Sequence, residues 1–526
     1  MEIVLDEKTM CDLECILDGH FAPVRTFMKE ADWRSVCANL RLSNGKFFPL
    51  PISLAAPEGV KVGDTVRLTD PTHYLLATLQ VMEVFKPDID WECEQAYGTT
   101  ETTHPYVKYK QGHKSKVYVS GPLIKENQVR HYDFMDTRLK PAETRDHFVS
   151  RGWNTVVGFQ TRNPMHRAHY ELTQYALRQT GDSDAKLFLN PVVGETQTCD
   201  IDYHVRVHCY QKMLPKYKSN TVLMGLLPLA MRMAGPREAC LHALIRKNYG
   251  CTHFVVGRDH AGPSFKKADG ESFYGPYEAQ DLFFKHANEI GIKPIVSKMI
   301  VYNSSKDLYQ AIDTVPEGDN VLKLSGTEVR KRLRSGDEIP PWFSYPEVVD
   351  ILRKGNKTRG TCYYFVGLSA SGKTTFANML KARLLEADIG REITVLDGDI
   401  VRTNLSRGLG FSKIDRSTNV RRIGFVASEI VKHGGTVICA NIAPYDEDRL
   451  ANRKLIESTG GRYVEIWVNT PIEVCETRDV KGLYKLAREG KIKQFTGISD
   501  PFEEPSRYDV KTWENSMCME MGCFNM

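Results

Sequence analysis

One eight-residue stretch restricts the architecture of this 526-residue chain more than any other: Gly367-Leu368-Ser369-Ala370-Ser371-Gly372-Lys373-Thr374. An apolar run, Thr361–Val366, precedes it, and a segment with Phe376, Met379, Leu380 and Leu384 on one helical face follows. A glycine-rich turn ending in Lys-Thr between a strand and a helix is a complete phosphate-binding P-loop in the context that it requires. Its backbone N–H groups would cradle phosphates, Lys373 would bridge the β- and γ-phosphates, and Thr374 would help hold Mg2+. Strand-like runs at Glu392–Leu396, Thr436–Ala440 and Tyr463–Val468 continue the βα rhythm.

A second stretch has the same logic without glycines. Gln160-Thr161-Arg162-Asn163-Pro164-Met165-His166-Arg167-Ala168-His169 closes the apolar run Asn154–Phe159 and opens a segment, Met165–Arg178, with helical periodicity. A polar loop at a strand's C-terminal end meeting a helix N-terminus is where an α/β sheet binds anions. Arg162 offers a planar fork for two oxygens of a tetrahedral anion, and Gln160 and Asn163 add neutral donors. His166 and His169 lie three apart, are expected to share a helix face, and would hydrogen-bond to a phosphate as its charge rises. Taken alone, the pair fits ordinary polar surface as well; a zinc reading lacks the intervening Glu and a third ligand.

The length allows about three to four domains. A formal net charge of +4, from 70 basic and 66 acidic residues, is too balanced for a nucleic-acid coat or a polybasic membrane anchor. The 13 cysteines form no CxxC pair, the N-terminus has no basic-then-apolar leader, and no apolar run approaches ~18 residues. These features predict a reducing, cytoplasmic setting in which most cysteines are small core residues, with neither nucleic acid nor membrane as partner.

The patterning predicts an α/β multidomain chain. Residues 1–137 read as a helical start followed by β-rich structure, with an Asn44-Gly45 turn and strands near Thr65–Leu68, Leu75–Val84 and Lys116–Val119. Residues 138–354 alternate strand and helix, with strands at Asn154–Phe159, Lys186–Leu189, Val222–Leu226, His253–Val256 and Pro294–Val296 and a helix over Pro236–Tyr249, as in a Rossmann-like parallel sheet. Two further loops, Gly257–Pro263 and Leu227–Arg232, fall on the ligand edge of that sheet, and Leu324–Arg330 reads as a helix N-terminus whose hydroxyls and Arg330 would hold phosphates. A basic, glycine-containing segment places the second boundary near Gly355, and 355–526 form the P-loop domain.

Gln160–His169, Leu226–Ala239 and Gly257–Pro263, in this order, closely resemble the ATP sulfurylases, which are HxxH nucleotidyltransferases, and the β-rich start resembles the PUA-like barrel preceding their catalytic domain. The resemblance implies adenylyl transfer from ATP to sulfate, giving adenosine 5′-phosphosulfate (APS) and pyrophosphate. It assigns sulfate to Gln160, Arg162 and the Ala261 backbone. Catalysis falls to Thr161, Arg162, Asn163, His166, His169 and Arg258. ATP contacts extend over Gln160–Asn163, Gly257, Arg258, Asp259 and His260, with adenine near the Ile300 backbone.

The last domain resembles the APS kinases, which phosphorylate the 3′-hydroxyl of APS to give PAPS. The resemblance rests on Asp397-Gly398-Asp399, Arg402, Gly410-Phe411-Ser412, Asp415–Arg422, Lys481–Tyr484 and Phe495–Gly497. It implies ATP on Gly367–Thr374, a catalytic Asp399, APS on Asp399, Arg402, Arg416, Asn419, Phe411 and Phe495, and a mobile lid over Lys481–Gly497. Ile400 stands where these kinases commonly have Asn, Ala443 where many have Ser, and the end from Tyr508 to Met526 is unlike theirs. Two other readings stay open: a kinase-like domain that only binds PAPS or APS as a regulator, and a sulfurylase run backwards to make ATP. The family implies a homo-oligomer.

Overall fold

The computed structural model describes the chain except for residues 198–199, 297–298, 336, 355–359, 388–389, 391 and 514–526, and the side chains of 327, 330, 334 and 335. The boundary expected near Gly355, most of the unusual tail, and the side chains of Thr327 and Arg330 lie outside the described residues. The chain divides into two compact units, Met1–Ile351 and Leu352–Met526.

The first unit begins with two helices, Glu7–Leu17 and Glu30–Asn39, and two sheets of four and three strands. The run Leu75–Val84, read as one strand, is two: Leu75–Gln80 belongs to the four-stranded sheet and Glu83–Phe85 to the three-stranded one. A continuous strand would have to serve both sheets, so the chain turns the corner at Val81-Met82. The Asn44-Gly45 turn carries a single antiparallel bridge, Arg41 to Phe47, with Gly45 at φ 84°. Two helices inside the β-rich region, Ile89–Tyr97 and Pro105–Gln111, escape the sequence reading; Asp88 and His104 cap their first turns.

The remainder of this unit carries a five-stranded, wholly parallel sheet in the order Val222–Met224, Lys186–Leu189, Val156–Phe159, His253–Val256, Lys293–Val296. Its strands are short apolar runs, and all four residues of Val156–Phe159 and of Lys186–Leu189 are buried, as covered parallel strands require. The order reverses between Val156–Phe159 and His253–Val256, which makes their C-terminal ends the ligand crevice. One hydrophobic core runs from Ile3 to Ile292 through the β-rich region and under this sheet. At its centre Arg232, with no exposed side-chain surface to speak of, is held bidentately by Asp12 at 2.6 and 2.7 Å. A small antiparallel sheet, Ile300–Asn303, Leu308–Ala311 and Val321–Leu322, follows.

The second unit is a parallel sheet in the order Ile393–Asp397, Thr436–Ala440, Thr361–Val366, Arg462–Val468, Val510–Thr512. Thr361–Val366 is central and buried throughout, and the helix Lys373–Ala387 leaves from its end. The ten described cysteines are all free and buried. Among the described residues no helix is long and apolar enough to cross a membrane.

Burial also sets a pH dependence for the first unit. His20, His104 and His113 are buried, and burial lowers them from 6.5 to about 4, 4 and 3. Between those values and 6.5 the unfolded chain binds more protons than the folded one, so stability rises with pH there and is lost as pH falls below 6.5. Each of the three costs about 1–2 kcal/mol on going from pH 7 to pH 5. The first unit therefore melts markedly lower at pH 5, and a scanning-calorimetry trace unchanged between these pH values would refute this.

Candidate functional site

The crevice of the first unit is built from two loops. Gln160–Asn163 leaves the strand Val156–Phe159, and Gly257–Pro263 leaves its parallel neighbour His253–Val256. Arg162 joins them: its guanidinium donates to the Gly262 carbonyl at 3.0 Å and lies 2.9 Å from the Met233 sulfur and 3.9 Å from Asp200. The Thr161 hydroxyl accepts from the Asn163 amide at 3.1 Å, and the buried Tyr210 hydroxyl is shared between the Thr161 and Asn163 carbonyls at 2.9 and 3.1 Å. One end of the Gln160 amide is buried with no partner. That end is its carbonyl oxygen Oε1, an acceptor that is ordinarily satisfied when buried, and a donor on the ligand would do it.

His166 and His169 do not share a helix face in the manner expected. The helix is Arg167–Gln179, and His166 is its N-cap, with extended backbone at φ −91° and ψ 176°. The His169 ring reaches back, its Nδ1 accepting from the His166 amide at 3.2 Å, and the two rings lie 6.0 Å apart. His166 Nδ1 is 2.9 Å from the Ser344 hydroxyl, and its ring packs on Phe343. Burial lowers His166 to about 3, with help from His169, and lowers His169 to about 4. Both are neutral at pH 7, so each ring can donate from one nitrogen, Nε2 in His169 because its Nδ1 accepts, without bringing a charge that a buried site would penalise.

In the second loop Asp259 and Ala261 adopt left-handed backbone, at φ 53° and 55°. Such conformations persist only where surrounding structure enforces them. Arg258 is half exposed and pairs with Asp259 at 3.0 Å, whereas the His260 ring turns inward to His242 at 3.0 Å. Arg232, expected on a ligand loop, is instead spent on Asp12, because a guanidinium buried in that core needs a carboxylate. Ile300 opens the small antiparallel sheet, whose first strand packs on the helix Arg167–Gln179. Ser325 caps the helix Gly326–Ser335 through the Glu328 amide at 3.1 Å. Tyr210, Asp200 and Gln197, which binds the Ser264 amide at 2.8 Å, were missed; they come from loops and a helix with no motif spacing to mark them.

In the second unit, Gly367–Thr374 wraps as a phosphate loop. Gly367 approaches the Val468 carbonyl so closely that a Cβ would lie 2.5 Å from its oxygen, and Ala370 at φ 54° and Gly372 at φ 99° take the left-handed backbone that anion-cradling loops use. The Lys373 ammonium donates to the Leu368 carbonyl at 2.5 Å, and burial lowers it to about 8. The Thr374 hydroxyl donates to Asp397 at 2.8 Å. This pair of oxygen ligands beside the phosphate loop suits a hard cation such as Mg2+. Asp397, which also caps the helix Gly398–Thr403, is thus the carboxylate nearest Thr374, while Asp399 is exposed and pairs with Lys481. A cleft of about 510 Å3 lined by Leu368, Asn469, Thr470, Pro471 and Gly497 adjoins the loop.

Arg416 donates to the Phe411 carbonyl at 2.9 Å, to Asp500 at 3.1 Å and to the Thr496 hydroxyl, and Arg402 lies over the Phe411 ring at 4.3 Å. Phe411 is 58% exposed, and Asn419 is buried with its carbonyl oxygen unpartnered. Phe495, expected among the APS contacts, is not an open ring: it is buried against Tyr484, centroids 5.0 Å apart, in a small cluster with Leu368. The Tyr484 hydroxyl donates to the Ser369 carbonyl at 3.0 Å, so the segment expected as a lid lies on the P-loop. Ala443 is buried, its carbonyl accepting from Arg449 at 2.6 Å, and Ile400 is exposed.

Family models match three consecutive stretches: a PUA-like domain over 1–127, ATP-sulfurylase over 135–355, and adenylylsulphate kinase over 359–512. A sulfate adenylyltransferase of Neosartorya fischeri is 46% identical over 97% of this chain and 89% of its own length, and one of Neurospora crassa is 45% identical over the same shares. A solved structure described as a hexameric APS kinase from Thiobacillus denitrificans is 32% identical, covers 94% of both chains and superposes with a TM-score of 0.58.

Proposed function

Since the chain belongs to the sulfate adenylyltransferase (ATP sulfurylase) family and carries an adenylylsulphate kinase domain behind that module, we propose that it performs both steps of sulfate activation. In the first unit sulfate lies on Gln160, Arg162 and the Ala261 amide. Thr161, Asn163, His166, His169 and Arg258 hold the triphosphate, the Gly257–His260 backbone lines its path, and the Ile300 backbone meets adenine. A sulfate oxygen attacks the α-phosphorus, the bond to the β-phosphate oxygen breaks, and pyrophosphate leaves. Sulfate needs no base, so the residues position reactants and absorb charge; the neutral histidines donate hydrogen bonds that strengthen as the α-phosphate oxygens gain charge.

In the second unit ATP lies on Gly367–Thr374 with its base toward the cleft at Pro471. Thr374 and Asp397 hold Mg2+, which offsets phosphate charge when bound. APS lies on Arg402, Arg416, Asn419 and Phe411, with Phe495 at its edge. The APS 3′-hydroxyl attacks the γ-phosphorus, ADP leaves, and Asp399 receives the hydroxyl proton once Lys481 has moved from its carboxylate. Consuming APS draws the uphill first step forward by mass action. The likeness to a hexameric kinase supports a homo-oligomer.

The observation that carries the two-step reading is the complete P-loop, with Lys373 buried in it and Thr374 on Asp397. One fact favours the regulatory alternative: the relatives that span the second unit are named for the sulfurylase reaction alone. Purified protein given ATP and sulfate separates them. Two-step turnover yields pyrophosphate, ADP and PAPS, whereas accumulation of APS without ADP leaves the second unit a binding module.

A further inference from the structure

A chain of three side chains, two of them fully buried, runs from the helix behind the second ligand loop of the first unit into that loop. The helix Gly235–Tyr249 places Glu238 and His242 one turn apart, both with no exposed surface. Glu238 accepts from the Arg232 and Ala234 amides at 2.8 and 2.9 Å and faces His242 Nε2 at 3.5 Å. His242 Nδ1 meets His260 Nε2 at 3.0 Å. The Gly235 amide donates to the Ala261 carbonyl at 3.1 Å, and Met233, at φ 58°, sets its sulfur against Arg162.

We propose that Glu238 and His242 are positioning residues for the sulfurylase step, locking His260 as its Nε2–H tautomer so that the Gly257–Pro263 loop presents the Ala261 amide to sulfate beside Arg162. The inference rests on the reading of this crevice as the sulfate site. The proton order follows from the ends. Glu238 can only accept, and burial, which alone would raise its carboxyl, is outweighed by the His242 imidazole 3.5 Å away, whose buried Nε2 has no closer partner, and by the two amide hydrogen bonds. His242 therefore carries its proton on Nε2 toward Glu238, its Nδ1 is an acceptor, and His260 must donate from Nε2. The carboxylate thereby ties the 232–234 segment, which backs Arg162, to the loop that carries Ala261. Ala261 needs such support, because its left-handed backbone does not hold itself. A side chain outside the crevice thus sets where two sulfate donors stand, and a shift of about 1 Å at such donors costs on the order of 100-fold.

The test uses the full chain. His242→Phe keeps a flat ring but can neither accept from His260 nor donate to Glu238; it is expected to raise the sulfate KM by about 10–100-fold with the ATP KM changed less than about 3-fold. His242→Gln, whose amide both accepts and donates, restores most of the sulfate affinity. A retained ATP KM in the sulfurylase step reports that the first unit of each variant is folded, and PAPS formation from supplied APS serves as the control for the second unit, which does not contain the relay. Nitrogen-15 shifts of His260 read the tautomer directly: protonated Nε2 in the wild type and a mixture in His242→Phe and Glu238→Gln. Should His242→Phe fail to fold, Glu238→Gln and the His260 shifts decide in its place. An unchanged sulfate KM in a folded His242→Phe chain, equal losses for sulfate and ATP, or a wild-type His260 protonated on Nδ1 overturns the assignment. Absence of sulfate-dependent pyrophosphate release from the wild type overturns the functional reading itself, and the relay's role with it.

Discussion

The Lys373→Ala chain makes APS at the wild-type initial rate and forms PAPS at least about 100–1,000-fold more slowly, the loss expected when one preorganised donor to a transferring phosphoryl group is removed. Lys373 is the cation inside the phosphate loop, and burial has already lowered it to about 8. Its charge is held only loosely by its neighbours, which suits a residue whose anionic partner arrives with ATP. The substitution leaves the strand Thr361–Val366 and the Thr374–Asp397 pair in place, so folding is not the confounding issue. Pyrophosphate release in ATP and sulfate measures the first step, and ADP and PAPS from supplied APS measure the second. PAPS formed by the variant at the wild-type rate would remove Lys373 from the reaction.

The reciprocal result is expected of Arg162→Lys: sulfate-dependent pyrophosphate release falls by about 100-fold or more, while PAPS is still made from supplied APS. Arg162 acts as a planar fork, with one edge on the Gly262 carbonyl at 3.0 Å and the guanidinium against Met233, so its remaining donors are aimed rather than free. Lysine keeps the charge but is a point donor on a flexible stem. It cannot brace the second loop and contact a tetrahedral anion together. If Arg162→Lys keeps the wild-type sulfate KM and kcat, charge alone suffices and the bidentate role is wrong. Together the two variants separate the units chemically within one chain.

Sequence patterning was most legible where physical chemistry is local. Lys186–Leu189, His253–Val256, Thr361–Val366 and Thr436–Ala440 span the bounds read from the sequence, each a polar first residue followed by an apolar run, because a parallel strand covered on both faces must be apolar along most of its length. The P-loop was legible for a related reason: glycines, lysine and threonine at fixed offsets are what close backbone approach to phosphate demands. Elsewhere the local signal misled. Leu75–Val84 has unbroken strand propensity yet serves two sheets, and Ile89–Tyr97 is a short helix in a region rich in strand residues, supported by its Asp88 cap and its buried face.

The chemistry-bearing residues divide in the same way. Residue type and spacing alone pointed to Gln160–His169, Gly257–Pro263 and Gly367–Thr374 as candidate anion-binding segments in an α/β frame. Partner choice was settled only by packing. Arg232 left the ligand loop for Asp12, 220 residues away; Thr374 took Asp397 rather than Asp399; and His260 turned inward to His242. Local propensity acts over one turn or one strand, whereas a buried charge takes whichever counter-charge the folded core brings within about 3 Å, and burial makes that pairing decisive.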